Sequence, residues 1–336
     1  MLAKHEVCLL AAAMLSMGAT YDLPIGNQFY VANKVYTDPV ACDWPTSTPE
    51  AQGIDAKKLA TAASTIGKYR AARALLVARN GQLVFERYFN GGTAQQARNI
   101  HSASKSILSA TVGAAIDEGL LTLDTTVGES LAGRFSVPSN KQAITVKHLL
   151  SMTSGIQWSE DSTEYRIGAN RIQSILNLKQ SYKPGTRWNY STGDATLLSA
   201  VVAAKTGNYA SYADSRILSP LGITVEKWGI DPQGYYSGGC NFFITPREML
   251  RFGQSYLNST PWTQDSTTRK AVSYYGYMWW TDIGAGNFRA WGWGQQFIYV
   301  WPAKQLVCVT VYDTAGSVND GDNYSTIKSY VYGAAK

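Results

Sequence analysis

Strand-like sequence stands at both ends of this chain and helical sequence fills its middle, an order that constrains the fold more than any single motif. The segment 74–88 reads as a β-hairpin. Two apolar runs flank Asn80-Gly81, the dipeptide that most strongly favours a tight two-residue turn. Residues 57–70 have helical character, and 102–258 is mainly helical with punctuating loops. Strand patterns return at 276–281, 288–293, 296–301 and 305–312, with Pro302-Ala303-Lys304 turning one into the next, and 324–334 reads as a closing helix. A chain ordered this way pairs its two ends into one antiparallel sheet and carries the helices as an inserted lobe. The expectation is an α/β (α+β) fold, with a cleft where sheet and helices meet. No internal repeat or low-complexity tract interrupts it.

The first residues read as an export signal. Met1 to Glu6 carries one lysine, an apolar run continues to Met17, and the small-residue stretch Gly18-Ala19-Thr20 follows, the pattern of a secretory leader over 1–19. The apolar run is too short for a stable membrane span. A periplasmic or secreted protein is expected, and a disulfide between Cys42 and Cys240 is compatible with that setting. Cys308 lies in a buried-strand pattern and reads as an inert core thiol. Residues 20–53 are irregular and contain proline. The net charge is +6, but the basic residues are scattered, and without a basic stripe the composition speaks against nucleic acid. No cysteine–histidine spacing suggests a metal site, and no cofactor motif is present.

Ser102-Ala103-Ser104-Lys105 opens the apolar helical run. Residues three apart share a helix face, so hydroxyl and ammonium can point into one pocket, and the helix dipole favours a developing oxyanion at that end. This is the Ser-Lys route to a nucleophilic serine. The bare pattern also occurs at Ser325-Thr326-Ile327-Lys328, so the motif alone identifies nothing. A Ser-His-Asp hydrolase needs a histidine facing the serine. His5 is in the leader, His148 is on a helix face, and His101 is next to Ser102, so its ring diverges from the hydroxyl. The nearest approach to Gly-x-Ser-x-Gly, Gly128 to Ala132, has no strand before it. Tyr190, at the mouth of the helix beginning near Ala195, reads on its own as a packed core tyrosine. Ala290 to Gln296 leads into a strand through glycines, and Trp279, Trp280, Trp291 and Trp293 are either pocket walls or core.

Taken together, these segments resemble the serine β-lactamase/penicillin-binding protein superfamily. The resemblance is nearest to the class C β-lactamase-related branch that includes esterases, D-aminopeptidases and 6-aminohexanoate-dimer hydrolases. It runs from about Pro49 to the end. Its markers are Ser102 to Ser106, Ala115 to Leu120, His148 to Gly155, Pro184-Gly185 before Tyr190, Thr245 to Met249 with Arg251 to Gly253, and Gln296 towards Pro302. It implies a β-lactamase/transpeptidase-like domain over 54–336, with a sheet lobe of about 54–100 and 265–336 and a helical lobe of about 101–264. It also implies Ser102 as nucleophile, Lys105 as its hydrogen-bonding cation and Tyr190 as general base. The oxyanion and substrate side falls to Gly292, Trp293, Trp291, Thr192 and Trp280, and no cofactor is needed. Two departures bear on the substrate. Thr192 stands where class C β-lactamases have asparagine, and no lysine precedes Gly292 on the strand where they have Lys-Thr-Gly. The missing lysine and the bulky Trp291 fit cleavage of a small-molecule ester or linear amide better than of a β-lactam. The alternatives are a penicillin-binding sensor that deacylates slowly and a true class C-like β-lactamase.

Overall fold

The computed structural model describes residues 29–31, 44–163, 167–257, 274–282, 286–314 and 323–336. The leader sequence, Cys42 and hence its expected disulfide lie outside them. Two antiparallel sheets organise the chain. The larger has seven strands: β2 (Ala72–Arg79), β3 (Gln82–Tyr88), β7 (Tyr275–Gly276), β8 (Trp279–Asp282), β9 (Asn287–Gly292), β10 (Gln296–Trp301) and β11 (Leu306–Tyr312). Their order in space is β3-β2-β11-β10-β9-β8-β7. The two chain ends thus meet in mid-sheet, where Val77 of β2 faces Cys308 of β11. The β2–β3 turn has Asn80 and Gly81 at φ 51° and 78°, both in the left-handed region that a tight hairpin demands.

Alternation along the strands splits the apolar side chains between two cores. Leu75, Val77, Phe297, Tyr299, Trp301 and Cys308 face α1 (Ala56–Ile66) and the C-terminal helical segment at 324–334. Leu76, Ala78, Ile298, Val300, Val307 and Val309 face the other helices. α1 is held at its start by Asp55, which accepts from the amides of Lys57 and Lys58. It buries Leu59, Ala62, Ala63 and Ile66, one helical stripe. The second Ser-x-x-Lys match, Ser325 to Lys328, belongs to the C-terminal segment on this face.

The opposite face carries α2 (Ser104–Asp117) and α8 (Pro246–Ser255), with α3 (Val127–Leu131), α4 (Val146–Leu150), α5 (Arg171–Asn177), α6 (Thr192–Thr206) and α7 (Tyr209–Ala213) stacked outward. The expected lobe boundary shifts here. α8, placed by sequence in the helical lobe, lies directly on the sheet. A Cβ on its Gly253 would come within 2.6 Å of Ile298. A second, four-stranded sheet, in the order β1-β5-β6-β4, was also not anticipated. It joins β1 (Phe29–Val31), β4 (Arg98–Asn99), β5 (Lys227–Gly229) and β6 (Phe242–Ile244). β1 falls in the stretch read as irregular, and β4 delivers the chain to Ser102.

Among the described residues, no helix is long and apolar enough to cross a membrane.

Candidate active site

Ser102 is not the first residue of α2, as the motif suggested. It occupies a 3-10 turn, His101–Ala103, that feeds the helix. His101 has φ 49°, an uncommon conformation outside glycine. Asn99 holds the turn: its Oδ1 accepts from the amides of His101 at 2.9 Å and Phe242 at 3.2 Å. From this turn Ser102 is partly exposed, whereas Lys105, one turn into α2, is buried.

The lysine is the hub of the site. Its Nζ donates to Ser102 Oγ at 3.0 Å, Thr192 Oγ1 at 2.9 Å and the Gly239 carbonyl at 2.8 Å. Three acceptors match the three protons of an ammonium. Tyr190 lies against the same group, with its ring centroid 5.1 Å from Nζ. Burial, the largest influence, pushes this ammonium down, but the charges of Tyr190, Glu160 and Cys240 and the Tyr190 hydrogen bond outweigh it. The net direction is upward, so Lys105 is a cation at neutral pH. In that form it donates to Ser102 Oγ.

α6 supplies the facing wall. Ser191 caps it, accepting from the Asp194 amide, and this places Tyr190 and Thr192 on either side of the helix start. Glu160, which no motif singled out, reaches in from the loop after α4. Its carboxylate accepts from Trp158 Nε1 at 2.6 Å and from the amide and hydroxyl of Thr192, each at 2.7 Å. Nothing in residue spacing marks a loop carboxylate of this kind, because its partner is brought to it by tertiary packing. Trp158 in turn packs on Gly193, where a Cβ would approach the indole to 2.5 Å. Thr192, expected on the substrate side, is 3% exposed and turned to Lys105 and Glu160.

β9 closes the third side. Gly292 approaches the turn before Ser102 so closely that a Cβ would lie 2.0 Å from the Ile100 carbonyl oxygen. The expected strand to 293 ends one residue early, and Trp293 stands in the turn after it, 56% exposed, edge-on to His101. Trp280 stacks on Tyr190 with centroids 5.7 Å apart and meets Trp291 at 5.0 Å. Trp279, considered as a pocket wall, is instead fully buried against Phe252 and Phe288. Ser106 Oγ donates to the Met278 carbonyl at 2.8 Å, tying α2 to the β7–β8 turn. His101 Nε2 pairs with Thr314 Oγ1. Burial and the Lys105 charge push the His101 ring down to about 4, so it is neutral at physiological pH. His148 is occupied in the capping box of α4.

No curated protein sequence matches the chain significantly. Several solved structures share its fold at low identity. A 6-aminohexanoate-dimer hydrolase assignment from Bacillus anthracis superposes with TM-score 0.68 at 18% identity, covering 86% of each chain. EstCE1, a hydrolase with promiscuous acyltransferase activity, gives 0.65 at 17% identity over 82% of this chain and 98% of its own. A penicillin binding protein from Bacillus halodurans gives 0.61 at 15% identity over 80% and 99%. The family model for Beta-lactamase matches residues 65–330, a span that takes in every group described above, and the chain belongs to that family.

Proposed function

We propose that this protein is a serine hydrolase that cleaves a small ester or linear amide through an acyl-enzyme on Ser102, and that it acts after export, as the sequence of residues 1–19 suggests. The observation that carries the reading is the hydrogen bond from a buried, charged Lys105 to the Ser102 hydroxyl, with Tyr190 against the same ammonium. In this mechanism Tyr190 takes the hydroxyl proton as Oγ bonds to the substrate carbonyl carbon. The amides of Ser102 and Trp293 are assigned to the oxyanion. Losing one such donor typically costs about 3 kcal/mol of barrier. Collapse of the intermediate breaks the bond to the alcohol or amine, which leaves with the proton from Tyr190. Water then repeats the sequence on the acyl-enzyme and releases the acid.

The end of β9 favours an ester or linear amide over a β-lactam. Ala290 is buried, Trp291 and Gly292 follow, and the strand's one cation, Arg289, lies over the Tyr324 ring at 4.8 Å. No positive side chain on that strand end is placed to receive a substrate carboxylate, and indole walls take its place.

Steady-state turnover of a p-nitrophenyl ester, a short linear amide and a chromogenic cephalosporin tests the proposal. The expected result is turnover of ester or amide well above the cephalosporin, complete loss in Ser102→Ala, and an acyl mass adduct on the Ser102 peptide. A stoichiometric burst without further turnover would replace this reading with the slowly deacylating penicillin sensor. Undiminished turnover in Ser102→Ala would remove the nucleophile assignment.

A further inference from the structure

We infer that Glu160 is a positioning residue that acts through the Thr192 hydroxyl to keep Lys105 in the cationic form the reaction uses. The inference rests on the Ser102–Lys105–Tyr190 reading above and adds a residue to it. The argument is one of hydrogen-bond direction. A carboxylate only accepts, so the 2.7 Å contact between Glu160 Oε2 and Thr192 Oγ1 fixes the hydroxyl proton on the glutamate side. Only the lone pairs of Oγ1 then face Lys105 Nζ, 2.9 Å away. The Gly239 carbonyl, at 2.8 Å, is likewise an acceptor only. Two of the three groups around the lysine therefore only accept, which either amine form can satisfy, and it is the negative carboxylate one contact further on that favours the ammonium. Without the carboxylate, the threonine hydroxyl is free to turn and donate to a neutral amine. Glu160 itself is held by Trp158 Nε1 and the Thr192 amide, so its charge stays fixed at the start of α6. Both bonds are of the charge-assisted kind.

The other ionisable groups around this chain of contacts are Tyr190 and Cys240 beside Lys105, His101 on the nucleophile turn, and Asp194 and Tyr275 beside Glu160. His101 is neutral across the working range, and Asp194, whose carboxyl burial pushes up to about 7, adds negative charge on the Glu160 side only above that pH. Removing the Glu160 charge makes protonation of Lys105 less favourable. The alkaline limb of the pH profile of kcat/KM is then expected to move to lower pH.

The test compares wild type, Glu160→Gln and Glu160→Asp on an ester substrate from pH 5 to 11, with Ser102→Ala as control. Glu160→Gln should bring the alkaline fall of kcat/KM to lower pH, so that its rate relative to wild type drops at the alkaline end of the range. Glu160→Asp, which keeps the charge, should keep the wild-type limbs even where its rate is reduced. A merely structural role lowers the rate of both variants and moves neither limb. If Glu160→Gln does not fold, Thr192→Val tests the same link from its other end and should bring the alkaline fall to lower pH. Profiles superposing on wild type in the folded variants overturn this inference while leaving the nucleophile assignment intact. An active Ser102→Ala control overturns the underlying reading instead.

Discussion

At the scale of single residues, burial acts on Lys105 and Asp194 with opposite outcomes. Lys105 keeps its charge because acceptors and anions surround it. Asp194, on the first turn of α6, is 1% exposed, and burial pushes its carboxyl up to about 7, against the hydroxyls of Ser154 and Ser191 and the Ser154 amide, which pull it down. In the unfolded chain the same group titrates near 3.8. Between those two values the folded protein binds more protons than the unfolded one, so this residue makes stability fall as pH rises through the window. Asp194→Asn removes that dependence while preserving size. Urea unfolding at about pH 4 and pH 7.5 is expected to show wild type losing up to ~4 kcal/mol relative to the variant. Parallel stabilities at both pH values would show that the carboxyl stays ionised throughout. The Ser102–Lys105 contact was legible only in part, because the same spacing recurs at Ser325 to Lys328 and only the ordered markers from Ser102 to Gln296 separate the two. Glu160 was not legible, since its role comes from a loop meeting a helix start and no local pattern encodes that meeting.

At the scale of elements, legibility followed length and turn chemistry. The β2–β3 hairpin and the strands β10 and β11 were plain, because Asn80-Gly81 and long β-branched or aromatic runs have one good solution. The four-stranded sheet was invisible: β4 is two residues long and its companions are three, too short for any periodicity to register. α8 falls in the stretch 102–258 that reads as mainly helical, but that pattern does not say which helices lie on the sheet. Its apolar face and its Thr245–Glu248 capping box specify a helix without naming the surface it covers. β9 shows how one element serves both fold and site. Its last residue, Gly292, lets the strand touch the backbone that carries Ser102. Gly292→Ala places a methyl 2.0 Å from the Ile100 carbonyl oxygen, a contact only backbone movement relieves. Moving β9 displaces the Trp293 amide assigned to the oxyanion. A fall in kcat of about a hundredfold, larger than any rise in KM, is expected from ester kinetics, with a lower melting temperature by circular dichroism. A variant with wild-type kcat would detach the strand end from the chemistry.

At the scale of the whole molecule, the sequence suggested two lobes, and the packing joins them more tightly than that word implies. One apolar core runs without a break from Ile298, Val300 and Val309 on the sheet, through Ile107 and Leu108 of α2, to Leu197, Leu198 and Val201 of α6. The site sits inside this continuity: Ser102 and Lys105 belong to the sheet-facing side of the core, and Tyr190 and Thr192 to its helical side. A cleft between independently stable lobes could open and close as a hinge. A cleft built into a shared core holds its hydrogen-bond distances rigidly, as a preorganised charge network requires. α6 also has almost no polar face, with Thr192 through Ala203 buried, so it is a central helix that depends on neighbours from every side. The consequence can be tested by excision. A fragment of residues 101–257 keeps nearly all the helices but exposes the α2 and α8 faces that the sheet covers. It is expected to be helical by circular dichroism yet to unfold without a cooperative transition and to bind a hydrophobic dye, as a collapsed chain lacking its packing partner does. A sharp two-state transition in that fragment would mean that the helical lobe is a domain in its own right, with the Lys105 contacts to Ser102, Thr192 and Gly239 wholly inside it.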